Sequence, residues 1–307
     1  VVRFWNRTFC GFRNFWPVDE ARFRRRVTEK KTGVESFDPE GFLCAVEGTE
    51  VVGLIHVGVR PEELCRVLYP DWPGGTQGYV ALIAVDPACR RQGTGRTLWH
   101  RGHENLKGTR QVVLDGQCIN PFYGNSEGPE TPFFGTPEGI SVSWGDGASR
   151  AFFVHHGFRP RYKAVQLELR VGNDELGPQP VPSGAEIKVS SNFYPEVGVP
   201  YGETARYHAG KLYQCAAAVV GGKTIAVLST YPLLDLAPGR FAIYETLVLP
   251  EFQGKGFGRA LLATAFEGLR AQGAETCDVL TIPEVSDAAY KLYLSAGFRP
   301  VAEWAVY

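Results

Sequence analysis

The chain has 307 residues, 44% of them hydrophobic and 21% charged, with a formal net charge of −1. That is an ordinary globular balance with room for two domains. Near-neutrality gives no electrostatic case for nucleic acid or an acidic membrane as partner, and no apolar run reaches the roughly 20 residues of a membrane span.

Seven scattered cysteines form no CxxC pair. They point to reduced thiols in a cytoplasmic protein, with neither a disulfide framework nor a bound metal. The start, "VVRFWNRTFCGFRNFW", lacks the layout of a signal peptide. There is no methionine at all, so the expectation is that methionine positions are missing from the sequence as written or that it starts inside a longer chain.

In chain order, "DEARFRRRVTEKK" predicts an amphipathic helix with Phe23 and Val27 inward and its basic face in solvent. "GFLCAVEGTEVVGLIHVGV" predicts two strands about a Glu-Gly turn. "GYVALIAVDP" is a strand ended by Pro87, "GRTLWHRGHENLK" a helix and "TRQVVLDG" a strand. "INPFYGNSEGPETPFFGTPEGI" is too long for an ordinary connection and reads as a lid, a homodimer contact or a surface excursion. "ASRAFFVHHGF" is a short helix capped by Gly157, and "KAVQLELRV" closes the first half.

A Pro- and Gly-rich linker at 172–184 divides domains 1–171 and 185–307. The second half repeats the outline. It has a strand, a Gly-Gly turn and a strand in "KLYQCAAAVVGGKTIAVLSTY", then the proline-ended strand "FAIYETLVLP". The helix "GRALLATAFEGLRAQG" is apolar at Leu261, Leu262, Ala265, Phe266 and Leu269. The strand "ETCDVLTI", the helix "DAAYKLYLSAGF" and the strand "PVAEWAVY" follow.

Each proline-ended strand leads into a glycine-rich basic loop and then a helix: "PACRRQGTGRTLW" and "PEFQGKGFGRALL". Glycine there lets backbone N–H groups at a helix start approach phosphate oxygens, and the helix dipole favours the anion. A GxxxxGK[ST] nucleotide loop is absent, and Leu98 and Leu261 stand where a dinucleotide fingerprint needs its third glycine. A plain strand-to-helix turn is the alternative, which two copies in matching contexts make less economical.

The [RQ]xxGx[GA] pattern, at Arg90, Gly93 and Gly95 and again at Gln253, Gly256 and Gly258, resembles the pyrophosphate loop of the GNAT superfamily of acyl-CoA-dependent N-acyltransferases. "FVHHGFRP" and "YLSAGFRP" resemble its second signature. The resemblance covers most of both halves and implies an α/β fold (an α+β mixed sheet). It would comprise two tandem domains, each a central mixed β-sheet flanked by helices, with the opening strand of the first half missing or truncated. The tandem arrangement is similar to that of the mycothiol synthases, without a motif specific to that activity.

The resemblance further implies acetyl-CoA as cosubstrate, no metal, and a small-molecule or peptide amine as acceptor. It places CoA on Gln253, Gly254, Lys255, Gly256, Phe257, Gly258 and Arg259, with a free strand N–H near Val248 or Leu249. The first-half counterparts are Arg90, Arg91, Gln92, Gly93, Thr94, Gly95 and Arg96, with Val85 or Asp86. Glu245 then reads as the base, or as an edge-facing or salt-bridged carboxylate. Tyr293 reads as the acid, or as a core aromatic. The first half has Leu82 and Phe153 at these places, and Ser286 departs from the family's usual Asn. The expectation is a catalytic second half and a first half that binds CoA without turnover. Alternatives are a non-catalytic acyl-CoA sensor and an aminoacyl-transferring enzyme of the same fold. The acceptor groove is expected around Tyr194, Tyr201, Glu203, Tyr207 and His208.

Overall fold

Local turn chemistry sets up a hairpin in each half of the protein. The fold is seen in a computed structural model that describes residues 1–30, 36–69, 71–114, 120–124, 131–172, 176–195, 197, 210–233 and 238–307. Helix α1 (Val2–Phe9) and the short α2 (Glu20–Phe23), which runs on as a π turn over Arg24–Thr28, precede the first hairpin. Strands β1 (Phe42–Glu47) and β2 (Glu50–Arg60) meet at a two-residue turn whose first residue, Gly48, has φ 60°. Then come α3 (Glu62–Leu68), β3 (Gln77–Val85), α4 (Thr94–Glu104) and β4 (Gln111–Leu114). After the long insert follow β5 (Val142–Ser143), α5 (Gly147–His155) and β6 (Tyr162–Arg170).

The second half begins with β7 (Ala185–Ser191), a strand not foreseen in the sequence. Its hairpin, β8 (Gln214–Val220) and β9 (Lys223–Pro232), turns at Gly221 and Gly222, both with positive φ. Then β10 (Arg240–Val248), α6 (Phe257–Ala271), β11 (Thr276–Thr281), α7 (Asp287–Ser295) and β12 (Arg299–Val306) complete the chain. The apolar stripe of α6 is buried as its spacing predicts, with Leu261, Leu262, Phe266 and Leu269 all fully covered.

The strands form two sheets, β1-β2-β3-β4 and β5-β12-β6-β11-β10-β9-β8-β7. One expectation needs correction. Strand β6, assigned to the first half, lies antiparallel between β11 and β12 in the second sheet, where Leu167 and Leu169 enter the core. A cut at 171 would therefore remove an interior strand from the second domain. Alternating apolar residues announce a strand, but not which sheet will take it. The first sheet has no counterpart of β7 among the described residues.

The basic helix also differs from expectation. Phe23 and Val27 are buried as predicted, but the opposite face is not simply solvated. Arg22 stacks 3.3 Å over the Trp16 ring. Arg26 donates to the Thr131 and Gly124 carbonyls, and Lys30 donates to Pro121 O at 2.6 Å. These cations hold the insert. Its Tyr123, Phe133 and Phe134 pack on Trp5 and Phe9 of α1, with Phe9 and Phe134 stacked at 4.4 Å. Large aromatic faces of this kind carry much of a core's burial energy. No helix of the described residues is long and apolar enough to cross a membrane.

Candidate active site

Both halves splay their central strands at the same place. β10 pairs in parallel with β11 only from Arg240 to Ile243. Tyr244 then bulges out of register with β9, so that Ile243 faces Thr230 and Glu245 faces Ser229. In the first half β3 pairs with β4 only from Gln77 to Val80, and Ala81 is the bulged residue between the pairs Val80–Val57 and Leu82–His56. An extra residue bends its strand and ends pairing on one side. Beyond it, alternate backbone groups face the opening.

This alternation decides which amides are open. Leu249 N donates to Ile225 O and Asp86 N to Val52 O, each at 2.9 Å. Those two expected donors are therefore engaged, and Val248 and Val85 are the residues whose backbone faces the opening. Their carbonyls are held in matching ways. Gln253 Nε2 donates to Val248 O and Arg90 Nε to Val85 O, both at 3.0 Å. The first residue of each loop motif, expected to contact phosphate, thus pins the loop to its strand.

The loops end on left-handed glycines, Gly93 at φ 90° and Gly256 at φ 91°. The first helical bonds are Thr97 N to Gly93 O and Ala260 N to Gly256 O. Neither helix has a side-chain cap or an acidic residue in its first turn. The amides of Thr94, Gly95 and Arg96, and of Phe257, Gly258 and Arg259, are left without helical partners. Exposed Arg91, Gln92 and Arg96 surround one set; exposed Lys255 and Arg259 surround the other. Phe257 itself is core, so only its backbone is available. Arg91 takes φ 65° where the second loop has Gly254 at 73°, a conformation that costs a residue with a side chain about 1–2 kcal/mol. Open amides, cations and a splayed strand fit the pyrophosphate and amide arm of CoA.

At the second splay Glu245 is half-buried, and burial raises its pKa. It has no ion-pair or hydrogen-bond partner among the described residues. Tyr293, on α7, is buried. Burial raises the pKa of its phenol most, the Thr246 hydroxyl opposes this, and Cys277, Glu138 and Glu245 push it further up. Glu138 belongs to the insert of the first half. The preceding residue, Pro137, accepts a hydrogen bond from the Tyr231 hydroxyl on β9.

At the first splay Leu82 and Phe153 are buried. His56, opposite Leu82, shares a 2.8 Å hydrogen bond with the Tyr123 hydroxyl of the insert, and burial pulls its pKa down to about 3. Asn120 Nδ2 caps the carbonyl of the bulged Ala81 at 2.8 Å. Phe122, Tyr123, Phe133 and Phe134 fill the same side of the strand. A cavity of about 230 Å³ remains, lined by Val80, Ile83, Ser149, Phe153 and Tyr307 and walled by Phe134. Tyr307 lies 5.6 Å from Phe153, ring to ring, and brings a phenol from the end of the chain.

Ser229, Tyr231 and Glu138 are not evident in the sequence, because strand register sets Ser229 opposite Glu245 and a contact over 90 residues joins Tyr231 to the segment that carries Glu138. Of the expected acceptor residues, Tyr194 is buried against Tyr213, while Tyr201, Glu203, Tyr207 and His208 lie outside the described residues. Among the described residues no group of His, Cys, Asp and Glu could hold a metal ion.

A family model described as the acetyltransferase (GNAT) family matches residues 5–114 and 186–298. A search of curated protein sequences found no match. Among solved structures, a tandem GNAT protein from the clavulanic acid biosynthesis pathway is 16% identical with a TM-score of 0.62, over 99% of this chain and 91% of that one. A GCN5-related N-acetyltransferase from Sphaerobacter thermophilus is 16% identical with a TM-score of 0.58, over 89% and 81%. A glucosamine N-acetyltransferase region of a fungal multi-domain β-N-acetylglucosaminidase is 15% identical with a TM-score of 0.61, over 99% of this chain and 36% of that one. At such identities the likeness concerns the fold.

Proposed function

The chain belongs to the acetyltransferase (GNAT) family as a tandem two-domain member, and from that premise we propose that its second half transfers an acetyl or short acyl group from acyl-CoA to an amine by direct attack. The acceptor is a small molecule or a peptide. The observation that carries the reading is that Glu245, half-buried and without a partner among the described residues, and buried Tyr293, within reach of Thr246, both lie at the splay beyond Tyr244.

Bound acyl-CoA supplies the thioester carbonyl that the amine attacks. The amides at the start of α6 and the side chains of Lys255 and Arg259 hold its pyrophosphate. The Val248 N–H, facing the opening, donates to the carbonyl oxygen as negative charge develops there. Glu245 takes the proton of the incoming ammonium, and its raised pKa brings it nearer the basicity that step needs. Tyr293, kept protonated by burial, gives its proton to the departing sulfur.

The first half binds a second CoA on its own loop without turnover. Leu82 cannot accept a proton, Phe153 cannot give one, and the insert occupies the acceptor side. The six described cysteines are free thiols, which supports a reducing, cytoplasmic setting.

The test is CoA thiol release from acetyl-CoA across a panel of amines. Release that depends on an amine supports the reading. CoA binding without release by any amine would instead make the chain an acyl-CoA sensor.

A further inference from the structure

The insert plays opposite parts in the two halves. In the first, position 56 opposite Leu82 carries His56, and the insert's Tyr123 satisfies it within the protein. In the second, the matching place opposite Glu245 carries Ser229, which is fully buried and whose hydroxyl has no hydrogen-bond partner among the described residues. Leaving a buried hydroxyl unpaired is costly, and such a group calls for an explanation, a catalytic role or a bound molecule among them. Side chains alternate along a strand, so Tyr231 shares Ser229's face of β9. Its hydroxyl is already engaged by Pro137 of the insert.

That bond seats the backbone just before Glu138 on β9, and the Glu138 carboxylate lies close enough to the Tyr293 phenol to raise its pKa. A tight turn fixes the segment: Thr136 Oγ1 accepts from the amides of Glu138 and Gly139 at 3.2 and 3.0 Å. Gly135 N donates to Arg13 O at 2.8 Å, and Asn14 Nδ2 donates to Gly135 O at 2.9 Å. Gly135 sits at φ 93°, and a Cβ there would lie 2.8 Å from Gly139 O. The turn is built, and it carries a carboxylate of the first half towards Tyr293 of the second. Tyr213, Tyr231 and Tyr244 form an aromatic wall beside it.

We infer that the acceptor pocket of the second half is a composite of both halves, in which Glu138 and Ser229 select and orient a small amine that arrives as a cation. The inference rests on the function proposed above and assigns its substrate class. Glu245 receives the proton; the Ser229 hydroxyl, directly across the strand pair, accepts an N–H of the same amine and orients it. Glu138 attracts the cation and disfavours an acceptor with its own carboxylate near the amine. The tyrosine rings suit a cation with an apolar or aromatic body.

The test compares the wild-type chain with Glu138→Gln, Glu138→Asp and Ser229→Ala, using three probes: a primary arylalkylamine, an aliphatic diamine and an α-amino acid. The wild type is expected to favour the first two. Glu138→Gln should raise KM for them roughly tenfold, the weight of one charge-assisted hydrogen bond, with kcat and thioester affinity held within about threefold. It should also narrow the preference over the amino acid, and Glu138→Asp should recover part of it. Ser229→Ala should raise KM for all three probes. The inference is overturned if the wild type turns over amines while Glu138→Gln and Ser229→Ala leave KM and preference unchanged. It is equally overturned if they lower kcat, thioester affinity and Tm together. If the wild type acetylates no amine, the proposed function fails first and this inference falls with it.

Discussion

The Tyr231 hydroxyl of β9 donates to the Pro137 carbonyl of the insert, so a segment read as an excursion of the first half is fastened to the sheet of the second. The same segment packs on the first half's splayed strand pair through Asn120 and Tyr123. On the reading proposed above, one shared piece of chain fills one groove and completes the other.

Burial raises the pKa of Glu245, and a base must be ionised to work. The acid limb of kcat/KM should therefore fall at a pH above the ordinary carboxylate range. A pH–rate profile with an amine in excess checks this, and the limb should vanish in Glu245→Gln.

The same shift has a stability consequence. With its pKa higher in the folded than in the unfolded chain, Glu245 binds more protons when folded between the two values. Stability is thus lost as pH rises through that window. Glu245→Gln should melt at a higher temperature than the wild type at neutral pH. The difference should fade below the ordinary carboxylate range. Thermal melts across pH would show it.

Gly93 and Gly256 hold left-handed conformations at the helix starts. Gly93→Ala and Gly256→Ala should each cost about 1–2 kcal/mol and disturb one set of amides. Calorimetric titration should show two CoA sites per chain falling to one in either variant. Only Gly256→Ala should lose turnover.

Tyr123→Phe removes the partner of the buried His56. Denaturant unfolding should register a loss of about 1–3 kcal/mol, the cost of an unpaired buried group. Amine acetylation should stay within about twofold of the wild type, since this pair belongs to the filled groove.

What could be read in the sequence was local. Proline-ended strands, the αL glycines and the Gly157 cap follow from backbone chemistry within a few residues, and each is found: Gly157 has φ 91°, and Phe158 N closes onto Phe153 O. Each basic loop does run from a strand into a helix, though strand alternation is needed to see that the Leu249 amide is engaged. What escaped was long-range. The residues of β6 pattern as a strand in any sheet, and Ser229 looks ordinary until register sets it opposite Glu245. Arg22, Arg26 and Lys30 read as a solvated face because nothing nearby in sequence announces the carbonyls and rings they hold.

The central claim is that only the second half performs the transfer. It is tested most directly by steady-state acetylation rates of Glu245→Gln and Tyr293→Phe beside Leu82→Met and Phe153→Leu. The account predicts a loss of more than roughly tenfold for each of the first two, the scale of one proton-transfer group, and near wild-type rates for the others. Comparable losses from the first-half pair, with CoA binding and folding intact, would contradict it.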